Sequence, residues 1–167
     1  MLLVGDGGVG KSTLLDAFKF KRYFEHRVTI GLSHAVCTVN LGGSERYKLS
    51  IFDFSGQPRF FRMIKAVPTL MRGADGAIVA FDLSSFSTLL TAREWIAIIR
   101  EVSGDIPIVL VGTKADLERE VGENDVKELM EKLGLEVYVE TSAKLLKNVD
   151  EPFKVITKMI LERSRNR

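Results

Sequence analysis

Short apolar runs alternate along this chain with longer segments in which apolar residues recur every three or four positions. Apolar runs between polar residues predict buried strands at residues 2–4, 77–81, 106–111 and 136–140. Apolar residues at helical spacing predict helices at residues 11–21, 89–99, 126–133 and 152–160, with Gly134 as the C-cap of the third. Strands and helices that alternate in this way are typical of a parallel sheet covered on both faces.

One pair of strands breaks the alternation. Residues 34–41 and 47–54 have the pattern of strands, and Gly42, Gly43 and Ser44 between them predict a hairpin. We therefore expect an α/β fold whose mostly parallel sheet carries one antiparallel hairpin strand and helices on both faces. In such sheets the ligand binds outside the carboxyl ends of the strands.

The size and charge of the chain are those of an ordinary globular domain. Its 167 residues carry 24 lysines and arginines against 22 aspartates and glutamates, a net charge of +2 that is too balanced to predict a nucleic-acid partner. The single cysteine, Cys37, excludes an internal disulfide and is typical of a reducing compartment. No apolar run approaches the ~20 residues that span a bilayer. We expect one soluble cytoplasmic domain over residues 1–167, with Cys37 in its core.

The most specific motif lies between the first predicted strand and the first predicted helix. It fits the pattern G-x-x-x-x-G-K-S/T of phosphate-binding loops and reads Gly5-Asp6-Gly7-Gly8-Val9-Gly10-Lys11-Ser12. Glycine permits positive φ and lets main-chain N–H groups approach an anion at a helix N-terminus. We expect Lys11 to reach the β- and γ-phosphates of a nucleotide and Ser12 to ligate Mg²⁺, with Thr13 beside them.

A second motif, Asp53-Phe54-Ser55-Gly56-Gln57, follows an apolar strand. An aspartate at such a strand end can hold Mg²⁺ through water, because magnesium keeps several waters in its coordination shell. The N–H of Gly56 can meet a γ-phosphate, and Gln57 can orient an attacking water. By itself this turn is a common strand end, and its place after the phosphate loop is what makes it informative.

Two polar loops after later strands predict recognition of guanine. They are Thr113-Lys114-Ala115-Asp116 and Thr141-Ser142-Ala143-Lys144. A carboxylate at Asp116 can accept hydrogen bonds from the N1–H and 2-amino group of guanine, whereas adenine offers neither donor. The Lys114 stem can lie along the base plane, and the Ala143 N–H can donate to guanine O6. Either loop alone would be an ordinary polar loop, and their joint occurrence favours a guanine site.

Together these motifs resemble those of the Ras-like small GTPases, most closely the Rab branch, over essentially the whole chain. The matching residues are the loop at 5–12, Thr29 in Thr29-Ile30-Gly31, the stretch 53–57, and the guanine motifs at 113–116 and 142–144. The resemblance implies a three-layer P-loop NTPase fold with a six-stranded sheet, GTP/GDP exchange and slow Mg²⁺-dependent hydrolysis. It also implies that Thr29 ligates Mg²⁺ and touches the γ-phosphate only in the GTP state.

The same resemblance implies two segments whose conformation depends on the nucleotide, switch I at residues 23–32 and switch II at residues 56–72. These segments would contact effector, exchange-factor and activating proteins. Tyr23 occupies the place of the aromatic residue that stacks edge-on against guanine, with Phe24 as the alternative. Arg27 lies two residues before Thr29, where a cation could act as an arginine finger in cis, although a solvated loop arginine is the commoner role.

Three positions depart from the pattern of the family. Thr113 stands where most members carry asparagine, although Rho-type proteins also carry threonine. Ser55 replaces the usual alanine, which we take as a small change. Pro58 follows Gln57, where an acidic residue is usual. Because proline restricts the residue before it, Gln57 is held differently from the norm, or else Pro58 merely shapes a loop.

Switch II is also longer than in typical Rab proteins. Its apolar residues would either form an effector face or pack beneath the switch, and we expect about half of them to pack; they are Phe60, Phe61, Met63, Ile64 and Leu70.

We expect no lipid anchor on this chain. No cysteine follows Arg163, so prenylation has no acceptor, and Leu2 stands where N-myristoylation needs glycine. We therefore expect a cytoplasmic protein or one peripheral to a membrane surface. A zinc site is not expected, because His26 and His34 lack partners at ligand spacing. Two alternatives to a GTPase stay open, a GTP-binding regulatory module with negligible hydrolysis and a P-loop ATPase or nucleotide kinase.

Overall fold

The computed structural model describes residues 1–25, 29–66 and 68–166, which form a six-stranded sheet with helices. The strands are β1 (Leu2–Gly5), β2 (Leu32–Gly42), β3 (Glu45–Phe54), β4 (Ala77–Asp82), β5 (Ile108–Thr113) and β6 (Val137–Glu140). The helices are α1 (Lys11–Phe20), α2 (Pro58–Ala66), α3 (Phe86–Ser103), α4 (Glu123–Leu133) and α5 (Glu151–Arg165), with a 3₁₀ turn at Pro68–Met71.

The strand order across the sheet is β2-β3-β1-β4-β5-β6. The β2–β3 pair is antiparallel and the other neighbouring pairs are parallel, which confirms the predicted α/β fold. Within the described part of the chain, β2 is an edge strand that pairs only with β3. The carboxyl ends of the five parallel strands lie along one edge of the sheet, and each predicted motif lies at one of them.

Apolar residues on both faces of the central strands form two core layers. Every residue of β1, β4 and β5 is buried. On one face Leu2 packs with residues of α2 and α3, and on the other Leu3 packs with residues of α1 and α5. Burial of each large apolar side chain contributes about 1.5–3 kcal/mol relative to its exposure. Trp95 of α3 is fully buried, and Cys37 lies in the core as predicted.

The predicted bounds of the fifth strand, residues 106–111, were wrong by two positions. Pro107 lies before β5, because proline has no N–H to donate to the strand ladder. Its carbonyl still accepts a hydrogen bond from the N–H of Ala77 at 2.9 Å. As a consequence Thr113, predicted to begin a loop, is the last residue of β5.

Helices α3, α4 and α5 are longer than predicted, whereas α1 ends one residue before its predicted end. The third and fifth helices extend beyond 89–99 and 152–160, because their terminal turns are polar and add nothing to the apolar periodicity. Helix α2, which lies in switch II, was not predicted at all. Gly134 caps α4 as predicted, in the left-handed region with φ of 59°.

Candidate functional site

The phosphate loop connects β1 to α1 at the carboxyl edge of the sheet. Gly10 is the N-cap of α1 and has a φ of 94°, a left-handed conformation that favours glycine. Gly56, at the start of switch II, lies against the main chain of this loop. A Cβ atom on Gly56 would be 2.1 Å from the carbonyl carbon of Asp6 and 2.3 Å from the nitrogen of Gly7. The site therefore depends on glycine in both loops.

Lys11 lies at the base of the phosphate loop, with 5% of its surface exposed. Its ammonium group donates hydrogen bonds to the carbonyls of Gly5 at 3.0 Å and Asp6 at 2.7 Å. Burial lowers the pKa of Lys11 to about 8, and the carboxylates of Asp53 and Asp6 oppose that change. A polyphosphate beside the loop would act in the same direction as these carboxylates and favour the charged lysine.

Three oxygen atoms from distant parts of the sequence meet beside the loop. The Ser12 Oγ atom lies 2.6 Å from Thr29 Oγ1 and donates to Asp53 Oδ2. Asp53 is 1% exposed at the end of β3. Hydroxyl and carboxylate oxygens are the ligands that Mg²⁺ prefers. This donor set fits the magnesium site expected from the sequence.

Most of the predicted phosphate and switch residues line one cavity of about 130 Å³. Its walls come from the phosphate loop, switch I and switch II; they include Gly7, Gly8, Gly10, Lys11, Ser12, Thr13, Thr29, Ser55, Gly56 and Gln57. Three residues of the predicted phosphate loop, Gly5, Asp6 and Val9, are outside this lining. Gly5 ends β1, and the Asp6 carboxylate accepts hydrogen bonds from Gly7 N–H at 2.8 Å and Thr91 Oγ1 at 3.3 Å.

A second cavity, of about 300 Å³, adjoins the first. The predicted guanine loops supply much of its wall, which includes Val9, Tyr23, Thr113, Lys114, Asp116, Thr141, Ala143 and Lys144. Ser142 is fully buried behind this wall, and its hydroxyl donates to Asp116 Oδ1 at 2.5 Å. Ser142 therefore orients the carboxylate that we expect to read the base.

Thr113 and Lys114 connect the base cavity to the rest of the site. The single proton of the Thr113 hydroxyl is shared between the carbonyl oxygens of Val9 at 2.5 Å and Phe81 at 2.9 Å. This joins the phosphate loop to the ends of β4 and β5 and gives a physical role to the threonine found in place of asparagine. The Lys114 ammonium lies 2.6 Å from the buried carboxylate of Asp82.

The two candidate aromatic residues of switch I differ in position. Tyr23 lines the base cavity and is 44% exposed. Phe24 packs edge-on against Phe20, with 5.7 Å between ring centroids. The geometry therefore favours Tyr23 as the residue beside the base. Arg27, the candidate arginine finger, lies outside the described residues, as does His26.

Switch II begins as a helix. Pro58 is the first residue of α2, where its missing N–H costs nothing and its fixed φ suits a helix. The carbonyl of Gln57 accepts a hydrogen bond from Phe61 N–H at 2.9 Å. Pro58 therefore begins helix α2 rather than shaping a loop, and its effect on how Gln57 is held stays a prediction.

About half of the apolar residues of switch II pack, as expected. Ile64 is fully buried, and Phe60 and Phe61 pack partly buried against the core. Met63 and Leu70 stay exposed, at 42% and 51%.

Sequence reasoning missed two side chains that structure this site. Ser55 is 1% exposed and its hydroxyl donates to the carbonyl of Thr29 at 2.8 Å. Its replacement of the usual alanine was the available signal, which we took as a small change. Asp82 at the end of β4 carried no signal, because nothing in a sequence pairs it with Lys114.

The chain is similar to known proteins over nearly its whole length. The Ras family profile matches residues 1–162. Ras-related protein Rab-2B of Dictyostelium discoideum is 37% identical over 166 residues, which cover 97% of this chain and 80% of the relative. Human Ras-related protein Rab-31 is 36% identical over 163 residues, which cover 95% of this chain and 80% of the relative. Ras-related protein Rab-19 of Rattus norvegicus is 34% identical over 168 residues, which cover 98% of this chain and 76% of the relative.

The structure and these similarities agree with the resemblance seen in the motifs. In the described ranges, no helix is long and apolar enough to cross a bilayer. The match to the family covers residues 1–162, and the six-stranded sheet with one antiparallel pair is the one that the resemblance implied. This chain belongs to the Ras family, on its Rab branch, and is a small GTPase.

Proposed function

We propose that this protein is a guanine-nucleotide-dependent switch that binds GTP and GDP with Mg²⁺ and slowly hydrolyses GTP to GDP and phosphate. The observation that carries the proposal is the meeting of Ser12, Thr29 and Asp53 oxygens beside the phosphate loop. Membership of the Ras family supports the same function. The whole of residues 1–167 would act as one nucleotide-binding domain.

The two adjoining cavities suit the two ends of a nucleotide. The phosphates would lie in the smaller cavity, held by Lys11 and by main-chain N–H groups of residues 5–13. The base would lie in the larger cavity, beside Tyr23 and against the Lys114 stem. Asp116 would accept the two guanine donors, with Ser142, Ala143 and Lys144 completing the base site. ATP would leave the Asp116 carboxylate without those donors.

The magnesium ion would be held by Ser12 and Thr29 directly and by Asp53 through water. When bound, it neutralises negative charge on the β- and γ-phosphates. The close approach of Ser12 Oγ and Thr29 Oγ1 supports this assignment because the two come from different loops. Their convergence has no evident role in packing, since neither side chain belongs to the apolar core.

Hydrolysis in this site would rest on positioning and electrostatics. Gln57 would orient the water that attacks the γ-phosphate in line. Lys11 and the Gly56 N–H would stabilise the charge that develops on the phosphate oxygens. Without an activating protein we expect turnover of about 10⁻⁴–10⁻² per second.

Loss of the γ-phosphate would release both switches, because Thr29 and Gly56 would each lose a contact. Residues 23–32 and 56–72 would therefore present different surfaces in the two nucleotide states. We propose that effector, exchange-factor and activating proteins bind these segments. Met63 and Leu70 of switch II are exposed and would offer such partners apolar contacts.

Calorimetry on nucleotide-free protein tests the proposal. We expect GDP and GTP to bind in the presence of Mg²⁺ and ATP to compete poorly, and Asp116→Ala to lose most of this discrimination. Asp125→Ala, which removes a cap from α4, is the matched control and should bind like the unsubstituted chain. No heat from either guanine nucleotide would overturn the proposal.

Single-turnover release of phosphate tests the chemical step. Gln57→Leu should slow phosphate release while GTP still binds. Tight GTP binding by the unsubstituted chain without measurable release would instead favour the alternative, a GTP-binding module with negligible hydrolysis.

A further inference from the structure

Ser55 lies at the junction of the two switches. It follows the last residue of β3 and is 1% exposed. Its hydroxyl donates to the main-chain carbonyl of Thr29 in switch I at 2.8 Å. The same oxygen accepts the N–H of Gln57 in switch II at a longer distance of 3.4 Å.

The Ser55 hydroxyl therefore contacts both Thr29 of switch I and Gln57 of switch II, the two switch residues that we expect to take part in hydrolysis. A main-chain bond, from Ser55 N–H to the Gly31 carbonyl at 2.8 Å, also joins the segments. An alanine would keep that main-chain bond and lose both contacts of the hydroxyl. The serine therefore adds a link to Thr29 that depends on its side chain.

The position of that link bears on the magnesium ligands. The carbonyl held by Ser55 belongs to the residue whose Oγ1 atom lies 2.6 Å from Ser12 Oγ. Fixing the main chain of Thr29 also restricts where its side chain can point. The hydroxyl thus favours the arrangement in which switch I is closed over the site.

We propose that Ser55 is a positioning residue whose hydroxyl fastens switch I to switch II and favours the GTP-bound arrangement over the GDP-bound one. The inference rests on the proposed function, in which Thr29 contacts the γ-phosphate and Mg²⁺ only when GTP is bound. A bond made in one state and absent from the other changes their relative populations. For one neutral hydrogen bond we expect a shift of about fivefold.

A purely structural role for Ser55 makes a different prediction. If the hydroxyl only stabilised the end of β3, its removal would lower the stability of the folded chain. Both nucleotide states contain β3, so both would then be affected equally. The two roles are separated by comparing nucleotides rather than by measuring stability.

The test compares Ser55→Ala with Ser164→Ala in the full chain. Ser164 is a matched control because its hydroxyl also donates to a carbonyl, that of Ile160 at 2.9 Å, near the C-terminal end of α5 and outside both switches. With Mg²⁺ present, we expect Ser55→Ala to release a non-hydrolysable GTP analogue about fivefold faster and GDP at an almost unchanged rate. Ser164→Ala should change neither rate. Equal acceleration of both nucleotides, or no acceleration, would overturn the inference.

A double-mutant cycle with Thr29→Ala tests whether Ser55 acts through Thr29. Ser55→Ala should slow single-turnover hydrolysis in the unsubstituted background and have no further effect once Thr29 is alanine. Additive effects would mean that Ser55 does not act through Thr29. Failure of the unsubstituted chain to bind GTP would instead refute the proposed function, so the two failures are distinguishable.

Discussion

Gly56 shows at the scale of one residue how tightly the two loops of the site are packed. The atoms that a Cβ would meet belong to the main chain of Asp6 and Gly7 and not to a mobile side chain. The collision can be relieved only by moving one loop away from the other. Switch II would be the segment displaced, because the phosphate loop is anchored between β1 and α1.

We predict that Gly56→Ala weakens binding of a non-hydrolysable GTP analogue by about tenfold or more, because the overpacked loop separates from the phosphates. The affinity for GDP should fall less, since GDP binding does not need switch II to close. Titration calorimetry with both nucleotides measures the difference. Gly122→Ala is the control, because its Cβ would meet only the tip of the Asp125 side chain, at 3.0 Å. An equal loss of affinity for the GTP analogue and for GDP would contradict the prediction.

The ion pair between Asp82 and Lys114 is a second feature of single residues. Lys114 adopts a φ of 57°, in the left-handed region, and its stem passes close to Gly10. The buried Asp82 carboxylate holds its ammonium group and is itself fixed by the N–H and hydroxyl of Ser84 at 2.8 and 2.6 Å. The lysine stem is thereby held against the base cavity.

We predict that Asp82→Asn speeds GDP dissociation by about fivefold, because Lys114 is no longer held against the base. Stopped-flow release of a fluorescent GDP derivative measures the rate. Asp105→Asn removes a different partner of a cation, Arg163, at an exposed site. Such exposed pairs contribute little, and this control should release GDP like the unsubstituted chain. An unchanged rate in Asp82→Asn would refute the positioning of Lys114.

At the scale of elements, α2 docks against α3. The rings of Phe61 and Trp95 lie 4.6 Å apart, and Lys65 pairs with Glu94 at 2.5 Å. Trp95 is the only tryptophan in the chain and is fully buried. Its environment therefore reports whether the switch II helix is docked.

We predict that Trp95 emission shifts to the red, and is quenched more by acrylamide, when GDP replaces a non-hydrolysable GTP analogue. The reason is that switch II loses its γ-phosphate contact and α2 loosens from α3. Phe61→Ala should expose Trp95 in both states and so remove most of the difference. Identical spectra for the two nucleotides in the unsubstituted chain would show that α2 stays docked in both.

The motifs were predictable from sequence because phosphate and base contacts require particular residues at strand ends. Helix α2 was not, although Phe60, Phe61 and Ile64 lie on one face of it, because its nine residues make too few turns to establish a helical period. The fifth strand was misplaced for a local reason, the proline at 107. Ser55 and Asp82 were missed because their partners, Thr29 and Lys114, lie far away in sequence. Such pairings exist only once the sheet has brought the strand ends together.

At the scale of the whole molecule, the loops of the site follow the carboxyl ends of most strands of the sheet, at one of its edges. A ligand bound there would contact loops that follow β1, β3, β5 and β6, together with switch I, which precedes β2. Anything that binds the folded chain and not the unfolded one stabilises it by mass action. The nucleotide is therefore expected to stabilise the molecule as a whole.

We predict that GDP with Mg²⁺ at about 100 times its Kd adds about 2.7 kcal/mol to the free energy of unfolding. Excess EDTA should remove much of this gain, because Ser12 and Asp53 then hold no metal beside the phosphates. Calorimetric melting with and without EDTA measures the effect. The nucleotide-free protein is the control, and EDTA should leave its Tm unchanged. A GDP complex indifferent to EDTA would exclude a magnesium role in nucleotide binding.

The edge position of β2 has a consequence for how the surface of the molecule can differ between its two nucleotide states. Residues at the start of this strand pair with the end of β3, Leu32 with Phe54 and Ser33 with Asp53. The hydrogen bonds of these first β2–β3 pairs can break, starting at the end of the sheet nearest the site, while the five parallel strands keep every hydrogen bond between them. Under the proposed function, loss of one phosphate group would thus change the outer surface while the pairing among the five parallel strands is kept.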